Sequence, residues 1–158
     1  MIMRNPYQRK ATSNQNSNFS AKDIYKQFVE TITAQTKIYA LYKDGWALCA
    51  TPSGQQTLAI WQSKGLAQLL IKDNWVGYKV EEIPLVAFID HMIPYIRQNN
   101  THLSLNLTPE GQNVLVSGDV FLLDLKKYLY QLYTTQPELF KNAELPSPRK
   151  IRIHQKSE

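Results

Sequence analysis

The sequence has a single cysteine, Cys49, and no long apolar run. One thiol excludes an internal disulfide framework and fits a reducing cytoplasm. Because Cys49 lies in the apolar stretch WALCA, we expect it to be a buried structural thiol. No window reaches the roughly 18 apolar residues of a membrane span. The opening MIMRNPYQRK lacks the apolar core of a signal peptide. These absences predict a cytoplasmic protein.

Acidic side chains are missing from residues 1–22, which carry four basic side chains and therefore a charge of +4. Residues 141–158 carry five basic and two acidic side chains, whereas residues 23–140 carry nine basic and eleven acidic ones. The positive excess of this +5 chain thus lies at its two ends. Solubility alone does not require such segregation, so the ends are candidates for contact with a polyanion.

Between these ends, apolar residues recur with helical or strand period. The predicted order is helix, three strands, helix, strand, helix, two strands and helix. That order is typical of an α+β domain with a mostly antiparallel sheet and helices packed on one face. We predict a globular domain over residues 20–143, with extended basic tails over residues 1–19 and 144–158.

Polar and turn residues mark the ends of these elements. Asp44-Gly45 between two apolar runs predicts a tight hairpin, because the turn needs a residue with positive φ. Pro94 lies inside the helix predicted from PLVAFIDHMIPYIRQN and should kink or break it. Asp23 is expected to complete a capping box at the start of the first helix. The serines predicted to cap helices are Ser20, Ser63 and Ser117.

Side chains that carry catalysis or bind metals are sparse. The three histidines, His91, His102 and His154, have neither helical nor hairpin ligand spacing, and one cysteine cannot complete a zinc site. The adjacent Glu81 and Glu82 point to opposite sides of an extended strand. The scattered glycines form no phosphate-binding loop. We therefore predict a protein that is not an enzyme, with no catalytic residues, no metal site and no cofactor.

The segments LYKDGWAL, LAIW followed by Ala67, WVGY, IPLVAFIDHMIP and LTPEGQNVLVS occur in this order. They resemble a bacterial family described as a domain of unknown function (DUF 2750), over residues 28–132. The layout is also loosely similar to SseB-type domains, which are linked to protein interaction. Tyr39 stands where the family usually has tryptophan, and Ala59 and Gln62 stand where proline is usual. The resemblance implies a small cytoplasmic α+β module without established catalytic residues, and the basic tails lie outside its pattern.

Three tryptophans, Trp46, Trp61 and Trp75, border apolar strand sequence. Rings of this size usually pack in a core or at its edge. The alternative is a groove shared with the family and lined by Trp46, Trp75 and Tyr78, which would receive a partner protein or a small ligand.

The basic tails carry the functional prediction. Their cations can neutralise phosphates and release condensed counterions, and Tyr7 can stack on an exposed base. Prolines keep such segments extended. The alternative is a solvated, unstructured terminus. The predicted RNA-binding residues are Arg4, Tyr7, Arg9, Lys10, Arg149, Lys150, Arg152 and Lys156.

These observations favour a bacterial accessory protein that binds an RNA-rich assembly through its tails. The ribosome is the leading candidate, with a regulatory or hibernation-type role. The second hypothesis is a protein-binding adaptor or immunity-like module that uses the tryptophan-lined groove, with the tails incidental. An enzyme with an unrecognised site ranks last.

Overall fold

A computed structural model of the protein describes residues 20–141 and 144–151. The strands are β1 (Lys37–Tyr42), β2 (Leu48–Ala50), β3 (Gln56–Trp61), β4 (Lys79–Pro84), β5 (His102–Leu105) and β6 (Val114–Val116). The helices are α1 (Ala21–Gln35), α2 (Lys64–Gln68), α3 (Leu85–Ala87), α4 (Ile93–Gln98) and α5 (Gly118–Thr135). A π-helical turn, Phe88–Met92, joins α3 to α4, and short 3-10 helices span Asp73–Trp75, Pro137–Lys141 and Pro148–Lys150.

The six strands form one sheet in the order β4-β1-β3-β5-β6, with β2 paired to β3. All pairings are antiparallel except that of β3 with β5, where Leu58 lies opposite Leu103. The parallel pair needs a crossover, and the long connection from β3 to β5 contains α2, β4 and α3 to α4. The predicted α+β fold with a mostly antiparallel sheet is confirmed.

One face of the sheet carries the main hydrophobic core, which α1, α5 and the α3–α4 region cover. Phe121 of α5 lies at its centre, because its ring contacts Phe28 of α1 at 6.4 Å and Phe88 of the π-turn at 5.8 Å between centroids. Both contacts are edge-on, the arrangement that aromatic quadrupoles favour. One side chain therefore holds the three helical elements together.

The other face of the sheet carries a second, smaller core under α2. Leu58 and Ile60 of β3 point into the main core, whereas Ala59 and Trp61 point into the second one. A strand that is buried on both faces has a continuous apolar sequence, as β3 has in LAIW, residues 58–61. The short helix α2 thus packs on the face opposite the larger helices, whereas the sequence pattern predicted helices on one face only.

The predicted caps are confirmed. Ser20 and Asp23 form a capping box at the start of α1, and Ser63 and Ser117 accept hydrogen bonds from the first turns of α2 and α5. In the turn between β1 and β2, which a single bridge from Tyr42 to Trp46 closes, the left-handed residue is Asp44, with φ of 56°. Asp tolerates this conformation better than most side chains do, so the turn forms at the predicted place with Asp44 in the role expected of glycine.

Pro94 is accommodated by a wider helical turn before it rather than by a break. The amide of Ile93 donates to the carbonyl of Phe88, five residues earlier, and Pro94 then occupies the first turn of α4. Proline needs no amide donor at that position. The π-turn thus keeps Phe88, Met92 and Ile96 directed into the main core.

The chain packs against the domain between residues 144 and 151, a stretch that the sequence pattern assigned to the C-terminal tail. Leu145 and Ile151 are buried in the main core, and Pro148 is also buried. These apolar residues are too widely spaced to produce a helical or strand period, which is why the pattern did not reveal them. Only residues 152–158 of that predicted tail lie outside the described residues.

Candidate functional site

Two of the predicted RNA-binding residues lie in the described structure. Arg149 and Lys150 form the last two positions of the 3-10 helix Pro148–Lys150, and both are exposed. The predicted residues outside the described ranges are Arg4, Tyr7, Arg9, Lys10, Arg152 and Lys156.

Local sequence fixes the position of these two cations. Pro148 begins the turn, where its missing amide donor is not needed. The amide of Lys150 donates to the Ser147 carbonyl at 3.0 Å, and that of Ile151 donates to the Pro148 carbonyl at 3.3 Å. Since Pro148 and Ile151 are buried, the two residues between them are held on the outside. Arg149 and Lys150 therefore sit on a structured turn rather than on an extended tail.

Helix α5 brings one cation, Lys126, to this turn, and a second, Lys127, follows it in the helix. The ammonium group of Lys126 donates to the Ile151 carbonyl at 3.0 Å, which ties α5 to the end of the turn. Lys126 keeps two further donors for another ligand. Lys127 follows it and is exposed. We call the group formed by Lys126, Lys127, Arg149 and Lys150 the basic surface.

The basic surface lacks acidic partners within the described part of the chain. The ion pairs there join Lys26 to Glu30, Lys37 to Glu82 and Arg97 to Asp119, and none includes a residue of the basic surface. The segment LKKYLYQLYTT of α5, residues 125–135, contains no acid. The basic surface thus presents uncompensated positive charge.

The nearest acid in α5 before this segment, Asp124, is turned toward α1. The Tyr25 hydroxyl donates to its carboxylate at 2.6 Å. Burial, together with this hydrogen bond and the negative charge of Asp124, raises the pKa of Tyr25 far above its usual range. The carboxylate therefore has a hydrogen-bond partner on α1, and among the described residues no ion pair joins it to Lys127, three residues further along α5.

Sequence reasoning missed Lys126 and Lys127, although a signal was present. Their stretch of α5 has two adjacent lysines and three tyrosines without any acid, but the slightly negative charge of residues 23–140 as a whole concealed it. Charge counted in short windows would have identified this segment.

The predicted aromatic groove is divided between the two faces of the sheet. Trp75 and Tyr78 pack against the second core, with 6.3 Å between their ring centroids. Trp46 packs against the main core, beside Tyr42 at 4.8 Å. Successive residues of a strand point to opposite faces, and Ala47 already occupies the second core. Trp75 and Tyr78 are thus brought together, whereas Trp46 is separated from them.

Trp61 supports the core interpretation of the tryptophans. Its ring is buried and meets Trp75 edge-on at 6.3 Å. Its indole N–H donates to the Leu107 carbonyl at 2.9 Å, so the one polar atom of this buried ring has a partner.

Cys49 is partly buried, in β2 at the edge of the second core, whereas a buried structural thiol was expected. Burial raises the pKa of Cys49, and a hydrogen bond with Thr57 partly offsets this effect. The thiol is therefore protonated at neutral pH and is a weak nucleophile.

The described residues offer no group of three or more His, Cys, Asp or Glu side chains placed to hold a metal ion. His91 lies in the π-turn and His102 begins β5, while His154 lies outside the described ranges. In the same part of the chain, no helix has both the length and the apolar character needed to span a bilayer.

A cleft of about 550 Å³ lies between the end of α1, the end of α5 and the returning chain. Its walls are mostly aliphatic and uncharged polar side chains, with Tyr128 and Glu144 as the ionisable groups. Burial raises the pKa of Tyr128. This pair lacks the adjacent nucleophile and base that a hydrolytic site requires.

Comparison with known proteins gives a match to one family model. The family model described as "Protein of unknown function (DUF2750)" matches residues 25–125. No curated protein and no solved structure gives a significant match to the chain. The matched range contains the whole sheet and ends within α5, immediately before Lys126, so the basic surface lies outside it. Since the match covers well over half of the chain, this protein belongs to the DUF2750 family.

Proposed function

We propose that this protein is a non-catalytic, cytoplasmic accessory protein that binds an RNA-rich assembly, with the bacterial ribosome as the leading candidate. Its role there would be regulatory, by occupying a site or stabilising an idle particle. The observation that carries the proposal is the basic surface, where Arg149 and Lys150 are held beside Lys126 and Lys127 without acidic partners among the described residues.

Phosphate binding follows from this charge arrangement. Each phosphate that a lysine or arginine neutralises releases condensed counterions, which favours association without any base-specific contact. Neutralisation by all four cations would give a slope of log affinity against log salt of about −3 for single-stranded RNA. Because the cations sit on packed elements, little ordering entropy is lost on binding.

The predicted cations outside the described residues belong to the same proposal. Arg4, Arg9, Lys10, Arg152 and Lys156 would add phosphate contacts on either side of the domain, and Tyr7 would stack on a base. Their contribution would extend the footprint beyond the basic surface and steepen the salt dependence.

The proposal is tested by co-sedimentation with bacterial ribosomes across a potassium chloride series. The variant Lys127→Gln/Arg149→Gln/Lys150→Gln removes three positive charges from the basic surface and keeps Lys126 bonded to Ile151. A matched control, Lys64→Gln/Lys72→Gln/Lys79→Gln, removes three exposed lysines elsewhere. We expect the first variant to lose at least about tenfold in affinity and its salt slope to flatten by about 2.

The control variant should keep most of the affinity of the wild-type chain. Equal losses in both variants would mean that only net charge matters, and an unchanged affinity in the first variant would remove the basic surface from the proposal. A wild-type chain that stays in the supernatant at low salt would overturn the proposal itself. Arg4→Gln/Arg9→Gln/Lys10→Gln then measures the N-terminal contribution separately.

The adaptor hypothesis keeps one supporting observation. Val76, 63% exposed, directly follows Trp75, and Leu69, 55% exposed, ends the helix α2 that covers the second core. Exposed apolar side chains grouped with aromatic rings are typical of protein-binding surfaces. Val76→Ser and Trp75→Ala should weaken capture of a partner protein and leave ribosome binding intact. Loss of ribosome binding in these variants would instead place the ribosome contact on this face.

A further inference from the structure

We propose that the outer side of the second half of α5 is a stacking platform for unpaired bases, so that the RNA bound there is single-stranded. The platform consists of Tyr130 and Tyr133, flanked by Lys126 and Lys127. This inference rests on the proposed function and names the form of RNA that the basic surface receives.

Helical spacing places the platform beside the basic surface. Tyr130 lies four residues after Lys126 and three after Lys127, so both lysines are its neighbours on the helix surface. Tyr133 lies three residues after Tyr130, again one turn along. Since Lys126 bonds to the Ile151 carbonyl, the turn that carries Arg149 and Lys150 lies against the side of α5 from which Lys126 projects. Aromatic rings and cations thus form one continuous surface.

The two rings are exposed, and the only ring contact that either makes within the described structure is that of Tyr133 with Phe140. Tyr130 is 43% and Tyr133 is 50% exposed, and neither hydroxyl forms a hydrogen bond with a described residue. Tyr133 is supported from one side by Phe140, which meets it edge-on at 5.3 Å between centroids. Phe140 itself packs against the main core. The support fixes the ring without covering it, which reduces the entropy lost when a base stacks.

The chemistry of this surface favours a single strand over a duplex. Double-stranded RNA offers phosphates and hydroxyls but keeps its base faces stacked, so exposed tyrosine rings would find no partner. Single strands offer a phosphate chain together with accessible base faces, and proteins meet them with cations interleaved with aromatic rings. A partner protein would have to supply acids for four cations that have none in the described chain, so the charge favours a polyanion.

The test is fluorescence anisotropy with two labelled probes, an oligouridine strand and an RNA duplex of the same length. Tyr130→Leu and Tyr133→Leu remove the ring and leave charge unchanged, so salt slope should stay constant. Each is expected to weaken binding of the single strand by about 5- to 100-fold, the usual cost of losing one stacked base. Tyr130→Phe should retain most of the affinity. Tyr95→Leu, which replaces a comparably exposed tyrosine of α4, is the matched control.

The outcomes separate this inference from the proposed function. If the single strand binds the leucine variants and the wild type equally, while Lys127→Gln/Arg149→Gln/Lys150→Gln weakens binding, the platform is wrong and the basic surface stands. Equal affinity of the wild type for strand and duplex would also overturn the platform. If the leucine variants instead change the molar mass in solution without changing RNA affinity, this face contacts a second copy of the chain. Failure of the wild type to bind either RNA would remove both proposals.

Discussion

The two halves of α5 differ in where their polar side chains are directed. In residues 118–125, Asp119 pairs with Arg97 of α4 and Asp124 accepts from Tyr25 of α1, so both acids contact other helices of the domain. In residues 126–135, the lysines and two of the three tyrosines face outward and contact little beyond Ile151 and Phe140. The first half builds the family scaffold, whose match ends at residue 125, and the second half presents a surface.

The comparison teaches that scaffold and surface can share one helix because helical period keeps their side chains on different sides. Phe121, Leu125 and Leu129 continue the buried stripe through both halves. The second half is therefore positioned by the same core as the first, although its outward residues are not needed to form that core. Substitutions should separate the two roles.

Phe121→Ala should have the largest effect on stability, because its ring contacts both Phe28 and Phe88. A buried phenylalanine replaced by alanine typically costs about 3–5 kcal/mol. Urea unfolding followed by far-UV circular dichroism measures the loss. A cost below about 1 kcal/mol would mean that the three helical elements are held together elsewhere.

Ile151→Ala is expected to cost about 2–4 kcal/mol, since Ile151 is buried in the main core. In the same unfolding experiment, a loss of this size in the free energy of unfolding would distinguish a packed segment from a solvated tail. In a solvated tail the substitution would change the free energy of unfolding by less than about 0.5 kcal/mol. Such a small value would support a tail that begins at residue 144.

The C-terminal segment shows what periodicity alone cannot predict. The helices and strands of residues 20–135 carried their own signals, which were a regular apolar period and polar caps such as Ser20 and Ser117. Leu145 and Ile151 instead fill gaps in a core built by other elements. Which isolated apolar residue fills such a gap depends on tertiary packing, so a one-dimensional pattern contains no trace of it.

The tryptophans show that a sequence pattern also cannot predict which residues come together in a site. Trp46 and Trp75 were both correctly placed at core edges, yet they border different cores because strand alternation directs them to opposite faces. The pairing of β2 with β3 decides which of its residues point to each face. This register cannot be predicted from the sequence of β2 and the preceding turn alone. Lys126 likewise joined the site through a contact with Ile151, 25 residues away in sequence.

Tyr25→Phe probes the first half of α5 at alkaline pH. The pKa of Tyr25 is raised in the folded protein, so the unfolded chain loses this proton first, near pH 10. Its contribution to stability is therefore fully present below about pH 10 and falls as pH rises further. Wild-type stability should decline more steeply than that of Tyr25→Phe between about pH 9 and 11, in urea unfolding at each pH. Parallel curves would mean that Tyr25 titrates normally.

Near pH 7 the substitution of Tyr25 by phenylalanine should lower the free energy of unfolding by about 1.5–3 kcal/mol, the usual contribution of a hydrogen bond to a charged group.

Tyr130→Leu should have the smallest effect on stability, because its ring is exposed and its hydroxyl has no partner among the described residues. Surface substitutions of this kind usually stay within about 0.5 kcal/mol of the wild type. The same chain should nevertheless lose single-stranded RNA affinity. Measuring unfolding and RNA anisotropy on one preparation tests both halves of the comparison together. A stability loss above about 1 kcal/mol would show that Tyr130 supports the scaffold, and the division of α5 into scaffold and surface would then fail at this residue.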